Sequence, residues 1–124
     1  MAKHKLLVID DEPAFARLVA TVALELDYEV EATTSWQAFQ DAFLRMDPTT
    51  IIMDIVMPKM DGIELVQWLA KMGCTARIIL ITGYTPDYAK MAAEIGAASG
   101  LRSITIISKP VPVERLRELL RLVL

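Results

Sequence analysis

The chain has 124 residues, 54% of them apolar, with 13 basic and 16 acidic side chains and a formal charge of −3. That length suits one domain; no apolar run nears the roughly 20 residues of a membrane-spanning helix, and no basic stripe is present to follow a phosphate backbone. The single cysteine, Cys74, excludes an internal disulfide and favours a reducing compartment, by default the cytoplasm.

The N-terminal MAKHKLLVIDDEP places basic residues before a short apolar run, LLVI, too brief for the core of a signal peptide, so no export signal is expected. LLVID (residues 6–10) reads as the first strand. EPAFARLVATVALEL (12–26), with Pro13 at its start, reads as the first helix. YEVEAT (28–33) alternates apolar and polar side chains, the pattern of a sheet edge, and SWQAFQDAFLRM (35–46) follows as a helix opened by Ser35. TIIMD (50–54) is the third strand, apolar up to its last residue. After a loop whose Asp61-Gly62 reads as a turn and helix start come the helix IELVQWLAKM (63–72), ended by Gly73, and the strand RIILIT (77–82). Pro86 opens the helix PDYAKMAAEIGAAS (86–99), ended by Gly100; SITIIS (103–108) is the fifth strand, and VERLRELLRLVL (113–124), after Pro112, the fifth helix.

Strands separated by helical crossovers predict an α/β domain with a parallel sheet covered on both faces, and the continuous runs LLVI, TIIM and RIILI suit strands buried on both sides. In such open sheets ligands bind beyond the carboxyl ends of the strands. Those ends carry Asp10 and Asp11, Asp54, Thr82, and Ser108 with Lys109. An acidic pair after a strand is, alone, an ordinary helix start. With Asp54 and Lys109 on the same rim it reads as a site.

Three carboxylates at adjacent strand ends repel one another. Oxygen ligands crowded in this way suit Mg²⁺, which takes one or two carboxylates, waters and a phosphate oxygen. Lys109 adds a fixed positive charge and Thr82 a hydroxyl donor. A carboxylate between a divalent cation and a lysine can attack phosphorus, because both cations stabilise charge on the oxygens of the transferring group.

Through LLVIDDEP, IIMDIVMPKMDGIEL, IILITG and IISKPV, in that order, the chain resembles the receiver domain of two-component response regulators over essentially its whole length. The resemblance implies a flavodoxin-like (βα)5 doubly wound sheet with strand order 2-1-3-4-5, a single receiver domain over residues 1–124. It implies that Asp54 is the phosphoacceptor, supplied by a histidine kinase, a histidine phosphotransfer protein or a small phosphodonor. Asp11, Asp54 and the backbone carbonyl of Val56 would bind Mg²⁺ directly and Asp10 through water, while Thr82 and Lys109 would engage the phosphoryl group. Pro58 and Gly62 match turn positions of the family's loop, and Lys109-Pro110 matches a bond that the family holds in cis. Such a domain is a signalling phosphoacceptor rather than an enzyme, with only self-phosphorylation and slow self-dephosphorylation.

The chain also departs from the family pattern. Three residues before Lys109 the family usually carries Tyr or Phe, and here stands Ile106, so switching would rest on backbone and aliphatic repacking. The span from Thr82 to Lys109 is several residues longer than usual. Val56 and Tyr84 flank the site where the family tunes hydrolysis; neither can activate a water, and the phosphorylated state is expected to be long-lived. Val56 also leaves a phosphatase reading without its second acid.

Other notable residues read as structural. Methionines read as core filler, Trp36 and Trp68 as packing against the sheet, and His4 and Cys74 as isolated from any base or partner in sequence. Gly96 and Gly100 fall too late in a helix for a dinucleotide fingerprint. The last helix turns Leu116, Leu119, Leu120 and Val123 to one face, with Leu122 and Leu124 widening it. It reads first as core-facing and second, with Ile106 and the fourth helix, as a surface for a homodimer or effector, with no effector domain expected after Leu124. The alternative function is a receiver-fold interaction module that does not depend on phosphorylation. Neither direct nucleic-acid binding nor a membrane partner is expected.

Overall fold

Aliphatic runs too short for helices and bounded by turn residues become strands, and the amphipathic segments between them become the crossovers. The computed structural model describes residues 4–57, 60–83 and 86–121. In chain order these form β1 (Lys5–Ile9), α1 (Pro13–Glu25), β2 (Glu29–Thr33), α2 (Trp36–Met46), β3 (Thr50–Asp54), two short strands β4 (Val56–Met57) and β5 (Met60–Asp61), α3 (Gly62–Lys71), β6 (Arg77–Thr82), α4 (Pro86–Ala98), β7 (Ile104–Ser108) and α5 (Val113–Arg121). The main sheet has the order β2-β1-β3-β6-β7 and is parallel throughout. With the two-residue strands set aside this is the expected order 2-1-3-4-5, and the fold is flavodoxin-like.

Strand alternation divides the core in two. Leu7, Ile9, Ile51, Met53, Ile78 and Leu80 face α2, α3 and α4. Leu6, Val8, Ile52, Ile79, Ile81 and Ile107 face α1 and α5. Fully burying such a side chain contributes about 1.5–3 kcal/mol relative to leaving it exposed. β2, the predicted edge strand, lies at one edge and buries only Thr33 fully; β7 lies at the other, with Ile106 exposed.

Local chemistry sets the helix limits. Ser35 Oγ accepts from Ala38 N–H and caps α2, and Asp61 Oδ1 accepts from Ile63 N–H at 2.9 Å and caps α3. Gly73 and Gly100 take φ of 71° and 107° after α3 and α4, the left-handed conformation that stops a helix. After α4, Gly100 N–H donates to Ala97 O and Leu101 N–H to Gly96 O, which closes the helix before β7. Trp36 and Trp68 do pack on the core, edge to face with their centroids 5.6 Å apart.

The described part of α5 buries Leu116, Leu119 and Leu120 against the sheet, the core-facing orientation; Leu122, Val123 and Leu124 lie outside the described residues. Its last carbonyls are met from the sheet side. Tyr28 Oη donates to Leu120 O at 2.6 Å, and Arg77 Nη1 donates to Leu119 O. Among the described residues no helix is long and apolar enough to cross a membrane.

Candidate functional site

β1 and β3 are central strands, so the residues at their carboxyl ends face one another across the middle of the rim. Asp10 is the first residue after β1, where its amide donates to Thr33 O at 3.1 Å; Asp54 ends β3 and Thr82 ends β6. All three side chains are buried, although each is polar. Lys109 follows β7 directly, its amide donating to Thr82 O at 2.8 Å, and the Lys109–Pro110 peptide is cis, matching the expectation.

Lys109 Nζ is the hub of this rim. It lies 2.6 Å from Glu12 Oε1 and 3.5 Å from both Asp10 Oδ2 and Asp54 Oδ2, with the Phe15 ring beneath it at 5.0 Å. The remaining carboxylate oxygens are held by backbone amides: Asp10 Oδ1 accepts from Glu12 N–H at 2.8 Å and Asp54 Oδ1 from Val56 N–H at 3.0 Å. Asp10 Oδ2 and Thr82 Oγ1 are buried with no hydrogen-bond partner among the described residues. Buried polar atoms without partners are uncommon and call for an explanation; Thr50 Oγ1, at the opposite end of β3, is another, and what distinguishes Asp10 and Thr82 is their place on the rim beside Asp54 and Lys109.

Burial raises the pKa of Asp10, which the Glu12 amide and Lys109 only partly offset. Burial likewise raises that of Asp54, opposed by the Val56 amide and Lys109 and reinforced by the charge of Asp11. Burial alone would lower the pKa of Lys109, but its bond to Glu12 and the charges of Asp10 and Asp54 outweigh this and hold it above the ordinary lysine value. The site therefore has an excess of negative charge that one lysine does not balance.

The oxygens of Asp10, Glu12 and Asp54 lie within 4.8 Å of one another, a hard donor set that fits a divalent cation. The structure thus brings together Asp10, Asp54, Thr82 and Lys109. Asp11 is exposed and outside this group of oxygens, reaching Asp54 through its charge. Glu12 was missed as a site residue. Its signal was the third acid of DDEP, read as a helix start; in the structure it is the N-cap residue of α1 but makes no side-chain cap bond, because its carboxylate reaches across to Lys109.

Val56 sits in β4 with its side chain half-exposed, and Pro110 is exposed beside the site. Gly62 begins α3 so close to the strand end that an added Cβ would lie 2.5 Å from Ile55 O. Pro58 and Tyr84 fall outside the described residues. A cavity of about 590 Å³ adjoins Lys109, lined by Phe15, Leu18, Pro110 and Val111 together with Glu12 and Lys109. Past the site, Tyr88 Oη on α4 donates to Asp61 Oδ1 at 2.5 Å, which lowers the pKa of Asp61; burial and this same bond raise that of Tyr88.

Residues 6–121 match the family described as response regulator receiver domain. Sporulation initiation phosphotransferase F of Bacillus subtilis is 27% identical over 120 residues, covering 95% of this chain and 91% of that protein. The transcriptional regulatory protein YvfU of the same organism is 30% identical over 99 residues, covering 75% of this chain and 48% of that protein. The chain spans less than half the length of the first curated relatives it matches. Among solved structures, the chemotaxis response regulator CheY4 of Vibrio cholerae superposes with a TM-score of 0.80 at 26% identity, covering 99% of this chain and 100% of that one. With a parallel sheet of this order and an acidic rim closed by a lysine, the chain belongs to the response regulator receiver domains, the phosphoacceptor modules of two-component signalling.

Proposed function

We propose that residues 1–124 form one receiver domain in which Asp54 accepts the phosphoryl group. The observation that carries this reading is the buried Asp54 carboxylate, with one oxygen facing Lys109, beside an Asp10 oxygen that has no hydrogen-bond partner. Asp54 Oδ1 is engaged by the Val56 amide, which leaves Oδ2 as the nucleophile. Oδ2 attacks phosphorus, the P–N bond of a donor phosphohistidine breaks, and its electron pair stays on the imidazole nitrogen. Lys109 pairs with the transferred group, and the free hydroxyl of Thr82 donates to one of its oxygens. Asp10, Asp11, Asp54 and the Val56 carbonyl would hold Mg²⁺, which when bound neutralises charge on the phosphoryl oxygens. Once phosphorylated, Asp54 has no carboxylate or amide side chain at position 56 to activate water, and the product is long-lived.

The donor is a histidine kinase, a histidine phosphotransfer protein or a small phosphodonor, and the setting is cytoplasmic. The output surface is the face of α4, β7 and α5, where Met91 and Ile106 are exposed, and it serves a second copy or an effector. Direct contact with nucleic acid or membrane has no part in this reading. A phosphate-independent module is not favoured, since two buried carboxylates and a buried threonine hydroxyl without a partner are a cost to a domain that never meets a phosphoryl group.

Intact-mass spectrometry after incubation with acetyl phosphate and Mg²⁺, and again with a competent kinase, is the test. One phosphoryl adduct that requires Mg²⁺ and disappears in Asp54→Asn is expected. Its absence from wild type under both conditions overturns the reading.

A further inference from the structure

A charge placed on Asp54 is read elsewhere only if something connects it to a surface element. Ile106, on the α4 side of β7, has no polar atom with which to respond. A connection exists on the other side of the site. Val56 N–H donates to Asp54 Oδ1 at 3.0 Å, so a change at that carboxylate is felt directly by the Val56 peptide. Val56 is paired with Asp61 in the β4–β5 ladder, and Gly62 is pressed onto Ile55 O, so the start of α3 and the strand end cannot move independently.

Asp61 then reaches α4. Its Oδ1 accepts from Tyr88 Oη at 2.5 Å while also accepting from Ile63 N–H at 2.9 Å, and Tyr88 Oη lies 3.4 Å from that same amide. The rest of α4 buries small residues, Ala89, Ala92 and Gly96. Those small residues seat α4 by close apolar approach, and the Tyr88–Asp61 bond is the polar tie that links the first turns of α4 to the loop before α3. We propose that Tyr88 is a positioning residue that couples α4 to the phosphoacceptor loop through Asp61, a role that rests on Asp54 being the phosphoacceptor.

The sequence of events follows from hydrogen-bond competition. A phosphoryl group on Asp54 brings several strong acceptor oxygens to the Val56 amide. As Val56 turns toward them, its ladder partner Asp61 moves, the bond to Tyr88 opens, and the start of α4 is released. The device is a two-state element biased by a local charge, the physical requirement for coupling between sites.

Hydrogen–deuterium exchange of α4 amides, with and without acetyl phosphate and Mg²⁺, tests this while intact mass reports the adduct. In wild type, adduct formation is expected to speed exchange in α4 several-fold, the size of effect of losing one hydrogen bond. Tyr88→Phe is expected to exchange fast already without phosphate and to lose the adduct-dependent change, while still forming the adduct. Asp61→Asn keeps an acceptor oxygen for both donors and is expected to retain the change. A merely structural Tyr88 would instead give faster exchange in both states with the adduct-dependent change preserved, which overturns the proposal. So does an adduct that leaves wild-type α4 unchanged, or loss of the response in Asp61→Asn. If no adduct forms on wild type, the Asp54 reading falls and this one with it, whereas an adduct with an unaltered response in Tyr88→Phe removes this one alone.

Discussion

Asp54 is a buried acid held above the usual carboxylate pKa, first by burial and then by the nearby charge of Asp11, despite the Val56 amide and Lys109. A carboxylate whose folded-state pKa is raised costs stability wherever it is ionised, and that cost disappears as pH falls through the raised pKa. Asp54→Asn is therefore expected to stabilise the metal-free protein at neutral pH. Thermal melts across pH should show this advantage shrinking toward acid. Which acid completes the metal site is a separate question at the same scale. Asp11 is in the expected ligand set, yet Glu12 is the one whose oxygen lies near those of Asp10 and Asp54. A cation present at a hundredfold excess over its Kd stabilises by about 2.7 kcal/mol. Because the Glu12 oxygen is already paired with Lys109 at 2.6 Å whereas Asp11, among the described residues, is unengaged at the exposed rim, Asp11→Asn is expected to abolish the rise in melting temperature on adding Mg²⁺, and Glu12→Gln to retain it. Asp10, Asp54, Thr82 and Lys109 were legible because each stands at a strand end, a position that local pattern identifies. Glu12 was not, because a carboxylate before Pro13 also satisfies the chemistry of a helix start.

At the level of elements, the loop after β3 differs most from its sequence reading. It forms a two-residue antiparallel ladder, Val56–Met57 against Met60–Asp61, where only a turn was expected. Segments this short carry no usable periodicity. Gly62 shows why the loop is tight: a Cβ there would meet a backbone oxygen, Ile55 O, which cannot step aside as a side chain can. A glycine-to-alanine change inside a helix ordinarily stabilises by about 1 kcal/mol. Gly62→Ala is expected to do the reverse and destabilise by about 1–3 kcal/mol, the range for overpacking, measured as a lower urea midpoint. At Gly96 the atoms nearest an added Cβ belong to the side chains of Ile104, Val66 and Leu101, so alanine is expected to be tolerated better there.

Across the whole molecule, one sheet separates two apolar cores that, among the described residues, share no side chain. Leu69 is fully buried on the α3 face and Leu119 is 2% exposed on the α5 face. Leu69→Ala and Leu119→Ala are each expected to cost about 2–5 kcal/mol. Because both cores pack on the same hydrogen-bonded strands, urea unfolding should remain a single transition in either variant, and the costs should add within about 0.5 kcal/mol in the double variant. Two separate transitions would show that the faces unfold independently. The division into two cores, the order of the five helices and the five strands of the main sheet, and the strand-end residues of the rim follow from the sequence by itself. Strand alternation, helix caps and strand ends are properties of neighbours along the chain, and parallel crossovers leave few ways to arrange them. Only the tertiary structure decided that Lys109 pairs with Glu12 rather than lying closest to Asp54, and that Tyr88 reaches Asp61. Those partners are 97 and 27 positions apart, and their meeting depends on where whole elements come to rest rather than on any local pattern.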